Sequence, residues 1–138
     1  SMKCDCGQQL DDAMHYIDKS KEGGYLFYLN QEGRGLGIHN KILSYKLQSY
    51  EIDTYKADNI LGYSGDERNY FAALQILKFL KIKTLNLITN NPGKISALKK
   101  NNIHVKKMIA IKPNVNRFNK KYMETKKILG NHKIKFKK

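Results

Sequence analysis

Between Thr84 and Ile111 the polypeptide changes its hydrophobic period twice in one short stretch. Thr84 to Ile88 alternates polar and apolar residues and reads as a strand, and Asn91-Pro92 pairs a capping side chain with the residue that best opens a helix. Ile95 and Leu98 mark the short helix that follows, and Val105 to Ile111 returns to strand character. A chain that alternates at this rate is committed to layering helices on a sheet. The expected fold class is therefore α/β, a mixed or parallel β-sheet flanked by helices. The rest of the chain fits that frame. Leu10, Ala13, Met14 and Ile17 recur at helical spacing and predict a helix over 8–20, ended by Gly23-Gly24. Tyr25 to Leu29 reads as a buried strand, and a glycine-studded turn follows. Ile38, Ile42, Tyr45 and Leu47 suggest a second helix, and residues 54–65 look loop-like. Asp66 is placed to cap a third helix with Tyr70, Ala73, Leu74, Leu77 and Leu80 on its buried face. Residues 119–129 look helical, with Gly130 as the stop.

At 138 residues the length suits one domain, and 41% hydrophobic residues can furnish its core. No apolar run approaches a membrane span and no signal peptide is read, so no membrane partner is expected. Ser1-Met2 reads as a cloning scar before or at a start methionine. Two cysteines this close do not form a disulfide framework, which points to a reducing, cytoplasmic compartment. Charge is unevenly placed. Residues 94–138 hold 15 Lys and Arg against Glu124 alone, and so carry the whole net charge of +14. Such a tail attracts polyanions, a nucleic acid or a phosphorylated substrate. A lysine-rich solvated face is the simpler explanation. Only Arg34, Arg68 and Arg117 are arginines, whereas sequence-specific nucleic-acid readers lean on arginine forks.

The candidate chemistry lies in four places. Cys4-Asp5-Cys6-Gly7 can turn two thiols to one metal ion but cannot complete its shell, because zinc takes three protein ligands plus water or four protein ligands. Gly33, Gly35 and Gly37 sit between a strand-like run and a helix, where backbone amides can approach an anion. The G-x-G-x-G spacing is neither a dinucleotide fingerprint nor a P-loop, and a plain tight turn remains the alternative. Flanking Gly33, Glu32 offers an acceptor pair and Arg34 a bidentate fork. Asp66-Glu67-Arg68 reads either as first-turn capping with a surface pair or as part of a site. Thr89-Asn90-Asn91-Pro92-Gly93-Lys94 joins a strand to a helix and could hold a base or a phosphate, or be only an N-capped turn. His15, His39, His104 and His132 form no ligand-spaced pair.

Taken in order, Cys4-Asp5-Cys6-Gly7-x-Gln9-Leu10, Gln31 to Gly37, Asn40-Lys41-Ile42, Tyr45-x-Leu47-Gln48, Asp53-Thr54, Leu61-Gly62-Tyr63, Asp66-x-Arg68 and Thr89 to Pro92 closely resemble GTP cyclohydrolase II, from Cys4 to about His132. The resemblance implies opening of the guanine imidazole ring of GTP, with release of formate and pyrophosphate, as the first step of riboflavin biosynthesis. It implies a zinc ion held by three cysteines, of which Cys4 and Cys6 match the second and third, and magnesium accompanying the GTP phosphates. Gln9, Glu32, Gly33, Arg34, Thr54, Thr89 and Lys94 match positions that contact GTP. Tyr45 matches a tyrosine near the ring-opening step. Asp66 and Arg68 match a pair assigned as proton acceptor and nucleophile toward the α-phosphorus. A guanidinium keeps its proton at ordinary pH, so the expected role of Arg68 is to clamp the α-phosphate, with Asp66 holding it in place.

Against the family pattern, nothing corresponds to the upstream segment that carries the first zinc cysteine. The expectation is a single GTP cyclohydrolase II-like domain lacking that segment, with an exposed sheet edge, little zinc and negligible formate release. Asn30 and Gly93 replace residues that are often arginine and lysine. A homodimer is implied by the resemblance. Two further readings stand beside it: a non-catalytic remnant binding a nucleotide or pyrophosphate through Arg34, Arg68 and Lys94, and a basic nucleic-acid-binding module built on residues 94–138.

Overall fold

The computed structural model describes residues 2–64 and 66–128 of the chain. Among the described residues, six α-helices and two β-strands make an α/β fold. The chain divides into two compact units, one formed by Ser1–Phe27 with Ala72–Lys138 and the other by Tyr28–Phe71.

The first unit holds α1 (Cys6–Asp18), nearly all of α4 (Phe71–Phe79), β1 (Thr84–Ile88), α5 (Pro92–Lys100), β2 (His104–Ile109) and α6 (Lys120–Ile128). β1 and β2 pair in parallel through the α5 crossover, with Thr84 opposite His104 and Ile88 opposite Ile109. The register shifts between Leu85 and Asn86, which face Val105 and Lys107, so β2 carries one extra residue. The core consists of Leu77, Leu98 and Ile103, with Phe27, Leu74, Ile82, Leu85, Leu87 and Val105 packed against them.

Two helix ends build much of that core. After α4, Ile82 N donates to Leu77 O at 2.9 Å and Lys81 N to Lys78 O at 3.0 Å, with Lys81 at φ 57°. After α5, Ile103 N donates to Leu98 O at 3.0 Å and Asn102 N to Lys99 O at 3.1 Å, with Asn102 at φ 59°. Both are Schellman closures, in which a left-handed residue reverses the chain and the next residue turns inward. The start of α5 is as the sequence predicts. Asn91 Oδ1 accepts from Gly93 N at 2.8 Å, and Pro92 is the first helical residue.

The second unit holds a 3₁₀ turn (Glu32–Gly35), α2 (Gly37–Gln48) and α3 (Thr54–Ile60). Asp53 caps α3, its Oδ1 accepting from Tyr55 N at 2.9 Å and Lys56 N at 3.0 Å. Gly62, at φ 86°, closes α3 with a third Schellman turn, Tyr63 N to Asp58 O at 3.0 Å and Gly62 N to Asn59 O at 3.0 Å. The buried side chains here are largely polar: Ser44, Thr54 and Asp58 beside Leu36 and Ala57.

Three expectations are corrected. Tyr25 to Leu29 is not a strand: no ladder partner lies beside it among the described residues, and Tyr25, Leu26 and Tyr28 are exposed. Residues 54–65 are not simply a loop: Asp53 satisfies the first amides of α3 (Thr54–Ile60), and Ala57 on that helix is completely buried. Asp66 does not cap a helix. Its carboxylate is engaged by Arg68, and Asn69 Oδ1 accepts from Phe71 N at 3.3 Å, so α4 begins at Phe71. Ile38 and Ile42 of α2 are both exposed. Leu129, Gly130 and His132 lie outside the described residues.

Candidate functional site

The glycine turn of the second unit places an arginine rather than an open anion cradle. Gly33 and Arg34 adopt left-handed conformations in succession, with φ 63° at each. Glycine does this freely, whereas the conformation costs an arginine roughly 1–2 kcal/mol. The guanidinium of Arg34 is then fixed on two sides. Its Nη2 donates to Asp58 Oδ2 at 2.5 Å and to Thr54 Oγ1 at 3.0 Å, and its Cζ stacks 4.4 Å from the Tyr55 ring centroid. All three partners stand on α3, the element that Asp53 caps.

These contacts belong to a closed ring of hydrogen bonds. Asp58 Oδ1 accepts from Ser44 Oγ at 3.0 Å. Gln48 Nε2 donates to Ser44 Oγ at 2.9 Å and to Thr54 Oγ1 at 3.2 Å. The circuit therefore runs Arg34, Asp58, Ser44, Gln48, Thr54 and back to Arg34. Burial pushes the Asp58 carboxyl above its ordinary value, against the opposing pull of Arg34 and Ser44. Arg34 Nη1 is buried and has no hydrogen-bond partner among the described residues. A cationic donor in that position is a standing invitation to an anion.

Arg68 lies against the same turn. Glu67 N donates to Arg34 O at 2.9 Å, and a methyl group on Gly35 would meet Arg68 N at 3.0 Å. Arg68 grips Asp66 through two parallel bonds, Nε to Oδ1 at 2.7 Å and Nη2 to Oδ2 at 2.5 Å. Burial alone would raise the Asp66 carboxyl, but the Arg68 bonds and charge outweigh it and hold the group below its ordinary value. Arg34 contributes to that lowering, which places its charge within electrostatic reach of Asp66. Glu32 accepts from Lys41 Nζ at 2.8 Å, and this bond leads the causes that lower its carboxyl. Thr54 Oγ1 accepts twice, so its hydroxyl hydrogen remains its one donor. Tyr45 is half-buried on α2.

The remaining sequence-predicted residues lie in the first unit. Cys4 is buried and Cys6, the first residue of α1, is exposed. Gln9 Nε2 donates to Asp5 Oδ2 at 2.8 Å, one turn into α1. Thr89 is buried just after β1, and its Oγ1 accepts from Asn91 N at 3.0 Å. Lys94 follows in the first turn of α5, its N donating to Asn91 O at 3.3 Å. An open depression on α1 is lined by Asp12, His15, Tyr16, Lys19 and Ser20 and contains none of these residues. Its residues have no chemistry in common with the arginine turn, and the buried network of the second unit is the better candidate site.

A family model described as GTP cyclohydrolase II matches residues 1–110. The chain belongs to the GTP cyclohydrolase II family. The chain is similar to the GTP cyclohydrolase-2 of Psychromonas ingrahamii, 46% identical over 136 residues that cover 99% of this chain and 67% of that relative. It is equally similar, 46% over 127 residues, to the GTP cyclohydrolase-2 of Campylobacter hominis, covering 92% of this chain and 64% of the relative. With the riboflavin biosynthesis protein RibBA of Endomicrobium trichonymphae it shares 40% identity over 135 residues, 98% of this chain and 33% of that protein. The chain thus spans about two thirds of the first two relatives and a third of the last.

The family implies a zinc ion, for which this chain offers few donors. Cys4 and Cys6 supply two thiolate donors. Among the described residues no group of three or more His, Cys, Asp or Glu side chains could hold a metal ion. The described residues therefore do not complete a zinc shell.

Ser44 and Asp58 were not singled out from the sequence, and Gln48 entered only as part of a motif. One signal did exist. Ser44 and Gln48 are four apart, as are Thr54 and Asp58, so each pair shares a helix face. A loop assignment for 54–65 hides the second pair.

Proposed function

We propose that this chain carries the GTP-gripping part of the GTP cyclohydrolase II reaction, the opening of the GTP imidazole ring with release of formate and pyrophosphate. The observation behind it is the pairing of two guanidinium groups in one unit, Arg34 and Arg68, each anchored by its own carboxylate. Two fixed forks suit a triphosphate, where charge must be held and stabilised as the leaving group departs. Arg68 clamps the α-phosphate, and Asp66 holds it there. The bidentate geometry supports an orienting carboxylate better than a proton acceptor, since an arginine so paired keeps its charge. A phosphoramidate trapped on Arg68 during single turnover overturns this role.

Glu32, Gly33 and Thr54 complete the nucleotide contacts of that unit, with Tyr45 near the ring. Gln9, Thr89 and Lys94 are proposed as further nucleotide contacts on their match to the family's positions alone, and magnesium enters with the phosphates. Cys4 and Cys6 are the chain's donors toward zinc. The chain is proposed to be cytoplasmic and to form a homodimer, a reading supported by large exposed apolar side chains such as Phe79 and Ile128. No helix among the described residues is long and apolar enough to cross a membrane.

Calorimetry with GTP and a formate assay on the same sample, with and without added zinc, test the proposal. Binding with formate release establishes the whole reaction in this chain. Binding without formate, abolished by Arg68→Ala, establishes the second reading, a nucleotide-binding remnant. No binding of GTP overturns both.

A further inference from the structure

We infer that Asp58 is a positioning residue for phosphate recognition: with Ser44, Gln48 and Thr54 it locks the Arg34 guanidinium so that Nη1 faces the phosphates of a bound nucleoside triphosphate. The inference deepens the proposed function and rests on it.

Three observations carry it. Asp58 is 3% exposed, and both its oxygens are used within the ring, one by Arg34 and one by Ser44. A buried carboxylate with both oxygens so committed offers little to a ligand. Its chemistry is spent on orientation. Second, Arg34 has lost its freedom at three points: one face lies on the Tyr55 ring, and both protons of Nη2 go to Asp58 and Thr54. What is left in the guanidinium plane includes the buried Nη1, which has no partner among the described residues. Such a donor is costly unless something anionic completes it. Third, the left-handed backbone of Arg34 opposes its own residue type, and the ring is what holds that conformation in place. An arginine fixed before the ligand arrives loses little rotamer freedom on binding, and this is where such a ring would repay its own desolvation.

The ring therefore acts on affinity for phosphate and not on recognition of guanine. Calorimetry on the full chain should use three probes: GTP, inorganic pyrophosphate and guanosine. Asp58→Ala is expected to weaken GTP and pyrophosphate about tenfold and to leave guanosine unchanged. Asp58→Asn keeps the volume and one acceptor, so it serves if the alanine variant does not fold, and the same direction is expected. Gln48→Leu opens the ring at its far point and is expected to cost about threefold. Asn59→Ala, exposed on the same helix, is the control and should change nothing. Nitrogen-resolved spectra add a readout that needs no nucleotide. The Arg34 Nη protons should be resolved in the unaltered chain and averaged by rotation in Asp58→Ala. Failure of the unaltered chain to bind either GTP or pyrophosphate overturns the proposed function and this inference together. Binding of pyrophosphate by Asp58→Ala or Asp58→Asn as tightly as by the unaltered chain overturns the inference alone. So does an equal loss for guanosine, which marks a purely structural ring.

Discussion

A methyl group on Gly35 would stand 2.8 Å from the carbonyl carbon of Glu67, closer than two such atoms can lie. This contact brings the segment that carries Asp66 and Arg68 onto the turn that carries Arg34. Gly35 also has φ 96°, where a side chain is strained regardless of space. Gly35→Ala therefore meets both penalties, and Gly37→Ala, at φ 83° with nothing within 4 Å, meets only the second. Each strained backbone costs on the order of 1–3 kcal/mol. Urea melts should show both variants destabilised and Gly35→Ala by the larger amount, with GTP affinity reduced only in Gly35→Ala.

Removing the anchor of Arg68 separates affinity from stability. The Asp66 side chain is 44% exposed, and exposed ion pairs contribute about 0–1 kcal/mol to folding. Asp66→Ala should scarcely move the melting temperature. It should reduce GTP affinity roughly tenfold, because an untethered clamp must be ordered at binding. Calorimetry and a thermal melt on one sample check the pair of outcomes.

Asp58 should give the stability curve a slope. Its carboxyl is raised above the ordinary 3.8, chiefly by burial. From 3.8 up to the raised value, the folded chain holds this proton while the unfolded chain has lost it. Stability from this group therefore falls as pH climbs through that window. Asp58→Asn removes the slope. Whatever its offset, the variant should gain on the unaltered chain as pH climbs from 3.8 through the raised value, read as the difference in urea midpoints. Asp66 has the opposite sign: its carboxyl is lowered, so its contribution is present above 3.8 and lost as pH falls through the lowered value.

Leu98 closes the crossover helix onto the sheet and is 7% exposed. Leu98→Ala should cost about 2–5 kcal/mol through lost burial and the cavity left behind. Lys81 offers the reverse case. It occupies the left-handed position of a Schellman turn at φ 57°, where glycine meets no steric penalty. Lys81→Gly should stabilise by about 0.5 kcal/mol, the relief of strain less the entropy that glycine adds to the unfolded chain. Denaturation of the two variants in parallel checks both signs.

What was legible in the sequence is what short-range physics writes there. The strands Thr84–Ile88 and His104–Ile109, the Asn91-Pro92 helix start and α1 follow from apolar period and capping chemistry within a few residues. Tyr25 to Leu29 has strand composition yet forms none, because a strand is completed only by a partner elsewhere. The seven residues of α3 show little amphipathic pattern, and only the Asp53 cap announces them.

By itself the order of the motifs determined the family, since residue types at set separations are a property of the chain alone. The sequence also named Arg34, Arg68, Asp66 and Thr54 as polar groups worth attention. Their partnerships were decided in three dimensions. That Arg34 takes Asp58, 24 positions away, or that Ser44 and Gln48 close the ring depends on how α2 and α3 lie together. A hydrogen bond needs an atom within about 3 Å at the right angle, and no pattern of residue types along a chain encodes that distance.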